Sequence, residues 1–220
     1  MKRIFASLLF LTGVFFTACQ KDTYTYPNVI TEFVCIHTNE QGNVTALTTD
    51  NNNRYILENP LQSDGLTPDS LYRALSMYEL LQTNTAKLYT CQLVLSVNPL
   101  PLSVFGDNLK TDPVDIQSIW LSGNYLNLIV KEKAKDKVHY YHFIDEGITS
   151  HNGIQTLNLR LFHDRNNDYE AFTRNIYLSV PLSNYKSQLH KGDKIRFYIH
   201  TYKENETFRE FKFNPTSHEN

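Results

Sequence analysis

Seven stretches beyond Asp112-Pro113 constrain the fold of this chain more than anything else in it. They lie at 115–121, 124–132, 137–144, 154–162, 172–180, 193–202 and 206–214, and each is rich in β-branched and aromatic residues. Ser122-Gly123, Asp145-Glu146-Gly147, Asn152-Gly153 and Lys191-Gly192-Asp193 separate them. Gly and Asn tolerate the positive φ that tight turns need, so such clusters end one strand and begin the next. Seven short strands in about 100 residues is the count of an immunoglobulin-like β-sandwich. The paired-cysteine hallmark is missing, since Cys19, Cys35 and Cys91 all lie upstream. Trp120, in Ile119-Trp120-Leu121, reads as a residue of the sandwich core.

The first half carries strand signals too. Strands are expected at 28–38, 43–49 and 54–57, with turns at Asn39-Glu40-Gln41-Gly42 and Asp50-Asn51-Asn52-Asn53 and a loop over 58–68. Residues 71–81 fit two periods. Leu71, Ala74, Leu75 and Tyr78 form a helical stripe behind capping side chains at Thr67, Asp69 and Ser70, while Leu71, Leu75 and Met77 fit alternation. The pattern alone favours a helix. A strand follows at 87–97, with Tyr89, Cys91, Leu93, Leu95 and Val97 on one face, until Asn98-Pro99-Leu100-Pro101 breaks it. Residues 28–98 therefore read as one domain, 99–112 as a linker, 113–215 as a second domain and 216–220 as a tail. The 14 Tyr and 13 Phe against two Met support an all-β chain.

The amino terminus is an address. Lys2 and Arg3 precede an apolar run over 4–16, and Thr17-Ala18-Cys19 follows. The run is shorter than the roughly 20 residues of a membrane-spanning helix. It predicts a lipoprotein signal peptide at 1–18, cleaved before an acylated Cys19, with a tether over 19–27. Gln20-Lys21-Asp22 resembles the start of a signal that exports lipoproteins to the outer face of the outer membrane. The expected location is the cell envelope, anchored to the outer membrane and exposed at the cell surface. Without Lys2 and Arg3, the 21 Lys and Arg become 19 against 23 Asp and Glu, a formal charge of −4. No basic block stands out, which argues against a nucleic-acid partner. The expected partners are membrane lipid, through Cys19, and an envelope protein or glycan.

Chemical motifs are sparse. The compartment permits a disulfide between Cys35 and Cys91, and buried thiols are the competing reading. His139 and His142 stand three apart on an expected strand, so they face opposite ways and cannot chelate one ion. Asp164-Arg165-Asn166-Asn167-Asp168 opens like a calcium loop, but Tyr169 replaces the turn glycine and Asn175 the closing Glu. No metal site, cofactor or catalytic constellation is expected: Gly-x-Ser-x-Gly, His-Glu-x-x-His, phosphate loop and Cys-x-x-Cys are all missing. Tyr125, Tyr140 and Tyr141 are candidate ligand-contact aromatics. Ser70, in Asp69-Ser70-Leu71, fits a short O-glycosylation pattern.

The run from Asp112-Pro113-Val114 through Trp120 to Tyr125-Leu126-Asn127-Leu128 resembles the start of the C-terminal domain of NigD-like lipoproteins. So does Asn175-Ile176-Tyr177-Leu178-Ser179. Leu71-Tyr72-Arg73-Ala74-Leu75, Tyr78-Glu79 and Ala86-Lys87-Leu88-Tyr89 resemble that family's N-terminal half. The resemblance implies a five-stranded OB-like barrel followed by the sandwich, and turns 71–81 into a barrel strand. It supplies no catalytic set. The family's name comes from a bacteriocin gene cluster and leaves an immunity role open, beside a non-enzymatic binding or scaffolding role and a glycan-binding one.

Overall fold

The computed structural model describes residues 27–82 and 84–214. Cys19, the signal sequence, most of the tether and the 216–220 tail lie outside the described residues. Strands β1 (Val29–Thr38), β2 (Val44–Thr49), β3 (Arg54–Leu61), β4 (Leu71–Leu80) and β5 (Thr85–Leu93) close a barrel in the order β1-β2-β3-β5-β4. All pairs are antiparallel except β3 with β5, the topology of an OB barrel. Val34, Ile36, Val44, Leu47, Leu57, Ala74, Tyr78 and Ala86 fill it.

The helix that the pattern of 71–81 favours does not form. Ala74, Ser76 and Tyr78 alternate into the barrel, and Arg73 and Leu75 point the other way toward the second domain. A strand buried on both faces shows apolar residues at both parities, which mimics a helical stripe. β5 also ends earlier than the expected 87–97 strand. At Val94 the chain turns to donate to the Arg73 carbonyl (2.9 Å), and Leu95 bridges to Leu178 in the second domain.

That domain is a two-sheet sandwich. One sheet orders β11 (Phe172–Pro181), β8 (Tyr125–Ala134) and β7 (Asp115–Ser122). The other orders β13 (Asn205–Lys212), β12 (Lys194–Thr201), β10 (Ile154–Asp164), β9 (Tyr140–His151) and a two-residue β6 (Leu100–Pro101). The seven expected strands are thus present. Asp145-Glu146-Gly147, expected as a turn, is a bulge inside β9, and the hairpin turn falls at Asn152-Gly153, both at positive φ. Residues 99–112 do not hang free as a linker: β6 pairs with β9, two 3-10 turns follow, and Thr111 bridges to His163.

Core residues alternate along each strand: Leu126, Leu128 and Val130 on β8, Leu157, Leu159 and Leu161 on β10, Ile195, Phe197 and Ile199 on β12. Trp120 is not among them. Ile119 and Leu121 pack on the core, and Trp120 lies between them on the outer face of β7.

Asp193 ties the entry to β12. Its carboxylate accepts the N–H groups of His190 (2.7 Å) and Gln155 (2.9 Å), which hold its pKa below the ordinary value. A depressed folded pKa stabilises above the unfolded value of about 4, and that contribution is lost as the pH falls through the folded one. The melting temperature is therefore expected to fall on acidification from about pH 5 to pH 3, and Asp193→Asn to flatten that fall. Thermal scans by circular dichroism test this; equal pH slopes in the two proteins would count against it.

Candidate functional site

The outer face of the barrel docks on the outer face of the three-stranded sheet, and the contact is polar at its centre. On β4, Arg73 grips Asp50 in the β2–β3 turn through two hydrogen bonds, Nη1 to Oδ1 at 2.6 Å and Nη2 to Oδ2 at 2.9 Å. The same guanidinium donates to Ser179 Oγ (3.1 Å) on β11 and Asn127 Oδ1 (3.1 Å) on β8, and lies 3.9 Å from the Tyr125 ring centre. Ser179 in turn donates to Asn127 (2.7 Å). Asn127 and Ser179 are fully buried although they face out of the sandwich, because the barrel covers them. Burial alone would lower the Arg73 pKa, but Asp50 and then Cys35 outweigh it and keep the guanidinium charged.

Beside this hub lies a cleft of about 340 Å³ lined by Phe33, Trp120 and Tyr177 with Glu32 and Asp50 at its edge. Phe33 meets Trp120 edge-on at 5.4 Å and Tyr177 at 6.3 Å. Glu32 accepts the Tyr78 hydroxyl at 2.5 Å. On the other side of the hub, Tyr125 lines a second cavity with Cys35, Arg73 and Pro181.

The three candidate tyrosines do not form a platform. Tyr125 belongs to the junction, Tyr140 is exposed on β9, and Tyr141 is drawn into the sandwich, where burial and then Glu132 push its pKa up. Ser70 is held in the turn before β4, its N–H on Thr38 Oγ1 (2.8 Å) and its hydroxyl on the Pro68 carbonyl (2.9 Å). Cys35 and Cys91 are free thiols, not a disulfide. They flank β4 from opposite sides, Cys35 opposite Arg73 and Cys91 opposite Ser76. Two strand spacings separate them by at least about 9.5 Å, beyond the reach of a bridge. Burial pushes the Cys91 thiol up, and Cys35 lies 3.3 Å from the Tyr125 hydroxyl.

A second polar cluster closes one end of the sandwich core. Glu132 on β8, His139 before β9 and His163 on β10 bring ligand atoms together: His139 Nδ1 lies 2.9 Å from Glu132 Oε2 and 3.0 Å from His163 Nε2. Tyr141 and Arg174 donate to the Glu132 carboxylate, and Tyr141 stacks on His163 at 4.4 Å. Burial lowers the His163 pKa against the opposing pull of the Asp112 carbonyl. Asp168, beside His139, is held low because the backbone N–H groups of Lys135, Asp136 and Tyr169 outweigh its burial. His142 turns away toward Phe105, as strand alternation requires. The sequence reading missed this set because its members are far apart in the chain.

An OB-type barrel joined to a five-plus-three-stranded sandwich places the chain among two-domain all-β proteins. The family model for the NigD-like C-terminal beta sandwich domain matches residues 96–213. A NigD-like immunity protein from Bacteroides caccae is 32% identical, with a TM-score of 0.65, covering 86% of this chain and 94% of its own. The chain belongs to the NigD-like family. The same fold recurs in a protein of unknown function from Bacteroides vulgatus (17% identity, TM-score 0.67, 86% of this chain and 92% of the other). It recurs also in a candidate lipoprotein from Bacteroides fragilis (14% identity, TM-score 0.61, 86% and 100%). No curated protein matches the chain.

Proposed function

We propose that this protein is a lipid-anchored, non-catalytic binding protein of the bacterial cell envelope, and that it holds a protein partner in the cleft between barrel and sandwich. The cleft carries the reading. It gathers Phe33, Trp120 and Tyr177 at a junction that Arg73 holds in one arrangement. Large rigid rings in a preformed concave site are the usual anchors of protein interfaces, since little order is lost on binding. The ionisable groups around it are engaged, Arg73 with Asp50 and Glu32 with Tyr78, so neither pair is poised as nucleophile and base. Cys19 supplies the anchor. Immunity, the role for which the Bacteroides caccae relative is named, is one form of such binding. A glycan is the second reading, favoured by the carboxylates of Glu32 and Asp50 in the same cleft as Trp120.

A photo-crosslinker at Thr31, an exposed residue of the cleft, tests both readings in intact envelopes. A discrete protein adduct is expected, reduced about tenfold by Trp120→Ala. Cys19→Ser should release the protein to the soluble fraction. An adduct sensitive to glycosidase but not protease would favour the glycan, and no adduct at all would defeat both.

A further inference from the structure

We infer that Glu132, His139 and His163 form a binding site for a divalent transition metal, zinc by its ligand chemistry, buried at one end of the sandwich core. The inference is independent of the cleft and goes beyond the binding role proposed for it. Its first support is the tautomer that the outward hydrogen bond of each neutral imidazole selects. His163 Nδ1 lies 2.8 Å from the Asp112 carbonyl oxygen. A carbonyl only accepts, so Nδ1 carries the proton and Nε2 presents a lone pair. His139 Nε2 faces Asp168 Oδ2 at 3.3 Å, which places one proton outward; in the neutral ring Nδ1 is then the inward lone pair. The inward nitrogens are 3.0 Å apart, with Glu132 Oε2 2.9 Å from one and 3.9 Å from the other. Three lone-pair atoms thus face one another in a space that needs a positive centre.

The spacing suits a metal. A point about 2.0 Å from all three atoms lies in their plane, which is the length of Zn–N and Zn–O bonds. Two imidazoles and one carboxylate are a borderline donor set, suited to zinc and its first-row neighbours rather than to calcium or magnesium. The outer contacts are those that orient metal ligands: a backbone carbonyl on His163, a carboxylate on His139, and Tyr141 with Arg174 on Glu132. The three ligand side chains are at most 2% exposed, so the ion would be enclosed. Such a site is structural: it ties β8 to β10 and to the segment entering β9 where the apolar core ends.

The test uses the full-length protein, purified in detergent, stripped with chelator and titrated with Co²⁺ and then Zn²⁺. One equivalent of Co²⁺ should bring visible d–d bands of a low-symmetry site, Zn²⁺ should displace them, and Zn²⁺ should raise the melting temperature. His163→Gln should abolish the bands and the shift with the far-UV spectrum unchanged. Asp168→Asn should weaken binding about 10- to 100-fold. Should His163→Gln unfold the chain, the wild-type cobalt spectrum alone still decides. Absence of bands and of a Zn²⁺-dependent shift overturns the site, as does undiminished binding by His163→Gln. So do imidazole nitrogen resonances showing His139 doubly protonated and indifferent to Zn²⁺, because a proton then supplies the positive centre.

Discussion

Arg73→Ala is expected to destabilise the protein by about 3–5 kcal/mol, the cost of breaking a buried ion pair from one side. The Arg73 side chain is 1% exposed and Asp50 is 9% exposed, so the carboxylate left behind has little water to replace its partner. The substitution also takes the guanidinium donors away from Asn127 and Ser179, which are buried against the barrel. The Tyr125 ring loses its cation at the same time. Urea unfolding followed by circular dichroism measures the loss. A double variant, Arg73→Met with Asp50→Leu, should cost less than Arg73→Ala alone, because it leaves no buried charge behind. A loss below about 1 kcal/mol for Arg73→Ala would show that the pair behaves as an exposed one, and that the junction is open to water.

The sandwich was legible because its strands are short and amphipathic and end at Gly and Asn turns. The first three barrel strands were legible too, and the family resemblance implied the barrel itself; the pattern alone failed at β4. One face of β4 enters the barrel and the other meets the second domain, so Leu71, Ala74, Leu75 and Tyr78 carry no clean alternation. A hidden parity would have found the histidine cluster. On β8 the inward positions read Leu126, Leu128, Val130, Glu132, Ala134, and on β10 Leu157, Leu159, Leu161, His163. An ionisable residue on a core-facing row must be paired with something, and each row carries one. What no pattern could supply is that Glu132 and His163 meet at the same place, with His139 arriving from a third segment. The junction was illegible for a related reason: Asn127 and Ser179 look solvent-facing until a barrel is laid over them. Trp120 misleads in the same way, a large ring between two core residues that belongs to the docking face instead.

Gly123→Val, in the β7–β8 turn, is the second large effect, expected to cost on the order of 3 kcal/mol. Gly123 has φ +55°, and a Cβ built there would stand 2.6 Å from the Asp50 carbonyl oxygen. The left-handed conformation alone costs a side chain roughly 1–2 kcal/mol, more when it is β-branched. The clash adds to that, and it falls on backbone, which cannot swing aside as a long side chain would. Relief comes only by moving the β2–β3 turn off the sandwich, which draws Asp50 away from Arg73. Gly123→Val and Arg73→Ala therefore damage one contact from its two sides. In the double variant their costs should add to less than the sum, since a turn already displaced has no ion pair left to lose. Gly153→Val, at φ +79° but with nothing within 4 Å of its Cβ position, should cost only the backbone part and leave the Arg73→Ala penalty unchanged. Strict additivity of Gly123→Val with Arg73→Ala would mean that the turn glycine and the arginine do not share the junction.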